Sequence, residues 1–161
     1  MVRFACRTDI AAPAALVFDL SLRIDAHLGS MRRYGEQAVA GVTTGQLGLG
    51  QQVTWQARHF GIRWRMTSRI SHLQRPVVFV DEQVSGPFAA FRHVHHFHGA
   101  TSGITQMVDE VEFQAPLGLL GRLAEILVLG WYMRHLIESR HAYLKQQAEI
   151  LGHAAPPPGA P

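Results

Sequence analysis

Four residues in the middle of the chain, Asp81, His93, His95 and Asp109, carry side chains that move protons or hold ions. His93 and His95 are two positions apart, so on a strand they project from one face. An imidazole held by a carboxylate can transfer a proton or orient a polar group of a ligand, and His-x-His is also a metal-ligand spacing. The plainer use of such groups is to satisfy one another and fix strand register. Asp81, His93 and Asp109 are the candidate proton-transfer residues. No nucleophile or oxyanion site accompanies them, so no catalytic role is assigned, and no second ligand cluster supports a metal. The expectation is therefore no metal and no cofactor.

Positioning these side chains requires strands, and period-two patterning runs from Gln51 onward. Val53, Trp55, Ala57 and His59 share one face, as do Ile62, Trp64, Met66, Ser68 and Ile70 on the next strand. The change of parity calls for a two-residue turn at Phe60-Gly61, which pairs His59 with Ile62, Ala57 with Trp64 and Trp55 with Met66. Further strands are expected over Val77 to Val84, Phe88 to His98 and Ile104 to Phe113. Their inner faces carry Phe79, Asp81 and Gln83, then Phe91, His93, His95 and Phe97, then Met107, Asp109, Val111 and Phe113. Turns near Gly86 or Pro87 and near Thr101 set Asp81 opposite Phe91 or His93 and bring His93 close to Asp109. His93 is thus expected between two carboxylates.

Ahead of this sheet, Val2 to Ile10 reads as a strand. Pro13 is placed for the first turn of a helix, since its missing N–H costs nothing there. Helical spacing continues through Leu16, Val17, Leu20 and Ile24, with a break near Asp25, and residues 29–50 read as loop around a short strand, Gln37 to Val42. After Ala115-Pro116 a long helix is expected from Leu117 to about Ile150. Its apolar stripe is Leu119, Leu123, Ile126, Gly130, Met133, Ile137, Leu144 and Ala148, with one gap. This organisation predicts one domain over residues 1–150 and a Pro-rich, disordered tail over 151–161.

Composition narrows the class. The chain has 161 residues, 47% of them hydrophobic and 17% charged, which is a globular balance large enough for a core without disulfides. The single cysteine, Cys6, excludes an intrachain disulfide and suits a reducing cytoplasm. The N-terminal MVRFACRTDI has no signal-peptide pattern, and Leu117 to Trp131, interrupted by Arg122 and Glu125, is too short to span a bilayer. Arginines are spread along the chain rather than clustered, so no nucleic-acid partner is expected. Arg63, Arg65 and Arg69 form an outer-face stripe read as solvated, with an interaction module as a third functional class. Gly45-x-x-Gly48-x-Gly50 precedes a strand and lacks the Lys-Ser/Thr ending of a nucleotide loop, so it reads as a flexible loop at a cavity mouth.

The runs Phe79-Val80-Asp81-Glu82-Gln83-Val84-Ser85-Gly86-Pro87-Phe88, Phe91-Arg92-His93-x-His95-x-Phe97, Asp109-Glu110-Val111-Glu112-Phe113 and Pro116-Leu117-Gly118 resemble the bacterial SRPBCC proteins. These form the START-like, Bet v 1-like superfamily that includes polyketide cyclases. The resemblance covers roughly Val2 to Ile150. It implies an α+β helix-grip fold: a curved antiparallel sheet wrapped around a long C-terminal helix, with two short helices after the first strand. Because that scaffold hosts carriers, receptors, enzymes and co-chaperones, fold does not settle function.

The functional expectation is a cavity between sheet and helix that binds a small hydrophobic or amphipathic molecule, such as a lipid, polyketide-like or isoprenoid compound. Its expected lining is Trp55, Trp64, Met66, Phe79, Asp81, Gln83, Phe91, His93, His95, Met107, Asp109, Gly130 and Met133. The alternative is a cyclase, aromatase or dehydratase in which His93 moves protons with Asp81 or Asp109. A homodimer is compatible with either.

Overall fold

The computed structural model describes residues 1–116 and 128–154. Strand β1 (Val2–Ile10) is followed by helices α1 (Ala14–Leu22) and α2 (Ile24–Ser30), a 3-10 turn (Arg32–Tyr34) and six strands. These are β2 (Gln37–Gly41), β3 (Gln52–His59), β4 (Ile62–Gln74), β5 (Val78–Ser85), β6 (Ala90–Gly99) and β7 (Thr105–Gln114). A long helix, α3 (Gly130–Ala154), closes the chain. All seven strands form one antiparallel sheet in the order β1-β7-β6-β5-β4-β3-β2, so the first and last strands pair along one side. The curved sheet grips α3, which packs against β1, α1 and α2.

The hairpin between β3 and β4 has the register that the parity change demands: Trp55 faces Met66, Ala57 faces Trp64 and His59 faces Ile62. Its two turn residues, Phe60 (φ 53°) and Gly61 (φ 77°), are both left-handed, as a two-residue turn matched to strand twist requires. Glycine adopts that conformation freely, whereas phenylalanine is held in it at a cost. Asp81 pairs with His93, one of the two registers expected. A bulge between Ile70 and His72 on β4 then moves Leu73 opposite Phe79 and onto the core.

Several boundaries differ from the sequence reading. Pro13 is the N-cap of α1 rather than a first-turn residue. The helical break expected near Asp25 falls at Arg23, which is extended and bridges to Gln46. Residues expected as loop after Gly29 include the end of α2 and the 3-10 turn. The glycine loop does not border the main cavity. Gly45 O accepts from Ile24 N, Leu47 N donates to Leu22 O and Gly50 N donates to Ile70 O, pinning the segment to the helix junction and β4. The long helix continues past Ile150 to Ala154. Its expected first turns, with Leu119, Leu123 and Ile126, and the tail residues 155–161 lie outside the described residues. Among the described residues, no helix is long and apolar enough to cross a membrane.

The core is uneven along α3. Leu144 and Ala148 sit in a filled cluster with Ile10, Val17, Phe18, Phe79, Phe97 and Met107. Phe18 meets Phe79 and Phe97 edge-on at 5.5 and 5.2 Å. Nearer its start, Ile137 joins a smaller cluster with Cys6, Val111 and Phe113, and the space beside it is open. The strain at Phe60 is the exception in an otherwise relaxed hairpin. Phe60→Asn should therefore raise stability by about 1 kcal/mol in denaturant unfolding, because asparagine tolerates the left-handed region. An unchanged or lower midpoint would contradict this account of the turn.

Candidate functional site

The open space is a cavity of about 320 Å³ between the sheet and the first half of α3. Its sheet wall is built by the inner-face residues Trp55, Ala57, His59, Trp64, Met66 and Ser68, then Asp81, Phe91 and His93. The helix supplies Tyr132, Met133, Leu136, Ile137 and Arg140 at three- and four-residue steps, with Leu129 just ahead of it. Phe60 and Trp64 line the cavity and are also solvent-exposed, at 60% and 39%, which puts an opening at the β3–β4 hairpin tip. The cavity volume and apolar lining are those of small-molecule sites.

Seven of the expected lining residues border this space: Trp55, Trp64, Met66, Asp81, Phe91, His93 and Met133. Six do not. Phe79 and Met107 belong to the filled core. Gln83 turns away to clamp the β5–β6 connection, donating from Nε2 to Phe88 O at 2.8 Å and accepting from Phe88 N at 3.3 Å. That clamp places Phe88 on the cavity wall, and a side chain at Gly86 would collide with Gln83 Oε1 at 2.5 Å. Gly130 begins α3 and is not among the residues that border the space. His95 and Asp109 lie one layer behind the surface, both with 0% exposure.

That layer is a buried polar cluster centred on Asp109. Its Oδ1 accepts a hydrogen bond from His95 Nδ1 at 3.0 Å. Its Oδ2 lies 3.0 Å from His93 Nε2, 3.1 Å from His141 Nε2 and 3.8 Å from Arg140 Nη1. Arg140 also donates to Ser21 O at 2.9 Å, and His141 Nδ1 meets Thr8 Oγ1 at 2.9 Å. The expected placement of His93 between two carboxylates is corrected in one respect. His95 is the imidazole flanked on both sides, with Asp109 at 3.0 Å and Asp81 Oδ2 at 3.6 Å from its Nε2. His93 pairs with Val111 across the sheet and reaches Asp109 diagonally, because β6 and β7 run one register step from the assumed turn.

Arg140 and His141 were not among the sequence candidates. The stripe on α3 breaks between Ile137 and Leu144, and the three- and four-residue steps from Ile137 land on these two residues. The gap in the apolar pattern was their signal. Tyr132, His27 and Glu36 had none, the last two falling near or within a stretch read as loop. His59 Nδ1 meets Tyr132 Oη at 2.7 Å, His27 stacks on Trp55 at 4.0 Å, and His27 Nε2 lies 3.3 Å from Glu36 Oε2.

Electrostatics divide the cluster. Burial opposes charge on Asp109, but His95 and His93 and the contacts from His141 and His93 outweigh it and hold the carboxyl well below its ordinary range. Asp81 is likewise lowered, burial being outweighed by the two imidazoles and Arg140. Burial and the neighbouring His95 push His93 down to about 4, against the pull of Asp109. For His95, burial is outweighed by Asp109 and Asp81, and its pKa is raised. Near neutrality the cavity therefore meets an uncharged His93 backed by ionised Asp109, with Asp81 and Arg140 beside it.

Asp81, His93 and His95 each present a ligand atom within 4.8 Å of the others, a two-imidazole, one-carboxylate set able to hold a divalent cation.

No family model and no curated protein matches the sequence. Solved structures with the same fold are found. TTHA0849 from Thermus thermophilus superimposes with a TM-score of 0.75 at 17% identity, covering 96% of this chain and 100% of that one. The chain has the helix-grip fold that these solved structures share. A START superfamily protein from Mycobacterium smegmatis shares it with a TM-score of 0.68 at 12% identity, over 90% of this chain and 98% of that one. So does the Zhui aromatase/cyclase from Streptomyces sp. R1128, with a TM-score of 0.65 at 17% identity, over 92% and 93%. Within this helix-grip fold the Asp109 cluster separates the filled core from the cavity.

Stability should depend on this cluster as a unit. Asp109→Ala leaves its basic partners buried without their carboxylate and should destabilise by roughly 3–5 kcal/mol. Replacing Asp109 and His95 together by apolar residues should cost much less than the sum of the single changes in a double-mutant cycle, whereas simple additivity would show that the two do not interact.

Protonation of the buried histidines is linked to folding. His93 is depressed from 6.5 to about 4, so the unfolded chain binds the extra proton first and stability falls as pH drops through that window. The shift corresponds to roughly 3 kcal/mol. His59, lowered by burial, acts in the same direction. The raised His95 contributes below its unfolded value and loses that contribution as pH rises through its folded value. Unfolding midpoints should therefore peak near the ordinary histidine range and decline on both sides, with a shallower acid limb in His93→Gln. A wild-type profile flat between pH 6.5 and 4 would rule this out.

Proposed function

We propose that the protein binds a small hydrophobic or amphipathic molecule non-covalently in the cavity between sheet and helix. The observation that carries this reading is the juxtaposition of an apolar space of about 320 Å³ with a short polar wall, Asp81, His93 and Arg140. Apolar contact with Trp55, Met66, Phe91, Met133 and Leu136 supplies affinity, and the polar wall selects orientation. A lipid, polyketide-like or isoprenoid compound with one oxygen-bearing end fits that division. The likeness to START and Bet v 1-like structures supports the reading at the level of fold.

The second reading, proton transfer on a polyketide-like substrate, is favoured by His93 facing the cavity with a carboxylate behind it, and by the fold shared with an aromatase/cyclase. A general base works best with a pKa near the working pH. His93 at about 4 and an Asp81 held below its ordinary range are both weak bases at neutrality. Their electrostatics favour orientation over catalysis, and this ranks binding first.

An environment-sensitive apolar dye should bind with one molecule per chain. Ala57→Phe, which fills the cavity from its sheet wall, should weaken binding at least about tenfold while the circular dichroism of the fold persists. Undiminished binding in the folded variant would place the ligand elsewhere. Organic extraction of the purified protein and mass spectrometry before and after incubation separate the two readings: a carrier returns its ligand unchanged, an enzyme does not.

A further inference from the structure

Inside the cluster the Asp81 carboxylate closes on the imidazole of His95. At 3.6 Å, His95 Nε2 and Asp81 Oδ2 stand beyond ordinary hydrogen-bond range. Two atoms that share one metal ion at bond lengths of about 2.0–2.2 Å are about 3.0–3.5 Å apart, and this separation lies next to that range. The imidazoles are also prepared for such a role. Asp109 takes Nδ1 of His95 and leaves Nε2 buried without a hydrogen-bond partner, so a bound ion would take the place of the proton on that nitrogen. Oδ2 of the same carboxylate lies 3.0 Å from His93 Nε2, which makes Nδ1 the nitrogen His93 would turn to an ion. A buried carboxylate behind the histidine ligands is the arrangement that orients imidazoles and raises their basicity at metal centres.

We propose that Asp81, His93 and His95 form a binding site for one divalent first-row transition ion at the inner end of the cavity, with Asp109 as its shared outer-shell carboxylate. Asp81 and His93 border the cavity, so the ion faces the space a ligand occupies. Charge balance then defines what completes the coordination. Two carboxylates against Arg140 and a divalent ion, with both imidazoles neutral, leave one positive charge in a buried place. An anionic oxygen on the ligand, such as a carboxylate, phenolate or enolate, offsets it. The site itself stands apart from the ligand-binding reading; only this completing group rests on it.

Protein stripped with a chelator and dialysed should bind one Co²⁺ per chain and develop ligand-field absorption in the visible. Asp81→Asn and His95→Gln should each weaken that affinity at least about 100-fold, more than the roughly 10- to 100-fold usual for outer-shell partners, and Asp109→Asn should fall within that lower range. His98→Gln, on the exposed face, should leave it unchanged. Should His95→Gln fail to fold, Asp81→Asn at the half-buried position decides. Benzohydroxamate, an apolar ring with an oxygen chelating group, should shift the cobalt bands of the wild-type protein. Absence of a stoichiometric cobalt site, or equal affinity in folded Asp81→Asn, would overturn the site. Cobalt bands indifferent to benzohydroxamate would overturn its placement facing the cavity. Apolar dye binding, measured in parallel on the stripped protein, reports on the cavity alone.

Discussion

A single carboxylate without solvent exposure, Asp109, holds the two halves of this fold together. Strand β6 sends it His93 and His95, and helix α3 sends it Arg140 and His141. Removing a carboxylate from water costs several kcal/mol, so it can sit there only because basic groups converge on it from both the sheet and the helix. That requirement fixes the rotation of α3 on the sheet. Turning the helix by one residue would bury an uncompensated guanidinium beside an uncompensated carboxylate.

The consequence is a boundary within the grip. Beyond the cluster, Leu144 and Ala148 are buried in one core cluster with Phe18, Phe79 and Met107. Before it, the helix turns carrying Tyr132, Met133 and Leu136 stand off from Trp55, Ala57 and Met66, and the cavity remains. The cluster thus has two faces. One is stacked against the core, where Phe79 lies 4.1 Å from the His95 ring, and the other is offered to the cavity through His93, Asp81 and Arg140. Rigidity on the first face is what makes the second a selective polar wall, since groups locked by packing keep their geometry when a ligand arrives.

The inner faces and the β3–β4 register were legible in the sequence, because alternation with a two-residue turn admits one pairing. The Asp81–His93 pairing was legible to within one register step. What was not legible depends on contacts distant in sequence. Alternation marks Phe79 and Met107 as inward in the same way as Phe91, and only the seat of α1 makes the first two core and the third cavity wall. Gln83 shares that inward parity, yet a local bond to the Phe88 backbone takes it out of the wall. Arg140 and His141 were visible only as a gap, since charged residues in an apolar stripe acquire meaning when their buried carboxylate is known.

The central claim is that His93 is an uncharged polar contact between the Asp109 cluster and the cavity. Side-chain ¹⁵N spectra of histidine across a pH titration test it most directly. The His93 imidazole should stay neutral down to about pH 4, and its signals should move when an apolar ligand binds while those of exposed His98 do not. A His93 that titrates near the solvated value of 6.5 and ignores the ligand would contradict the claim.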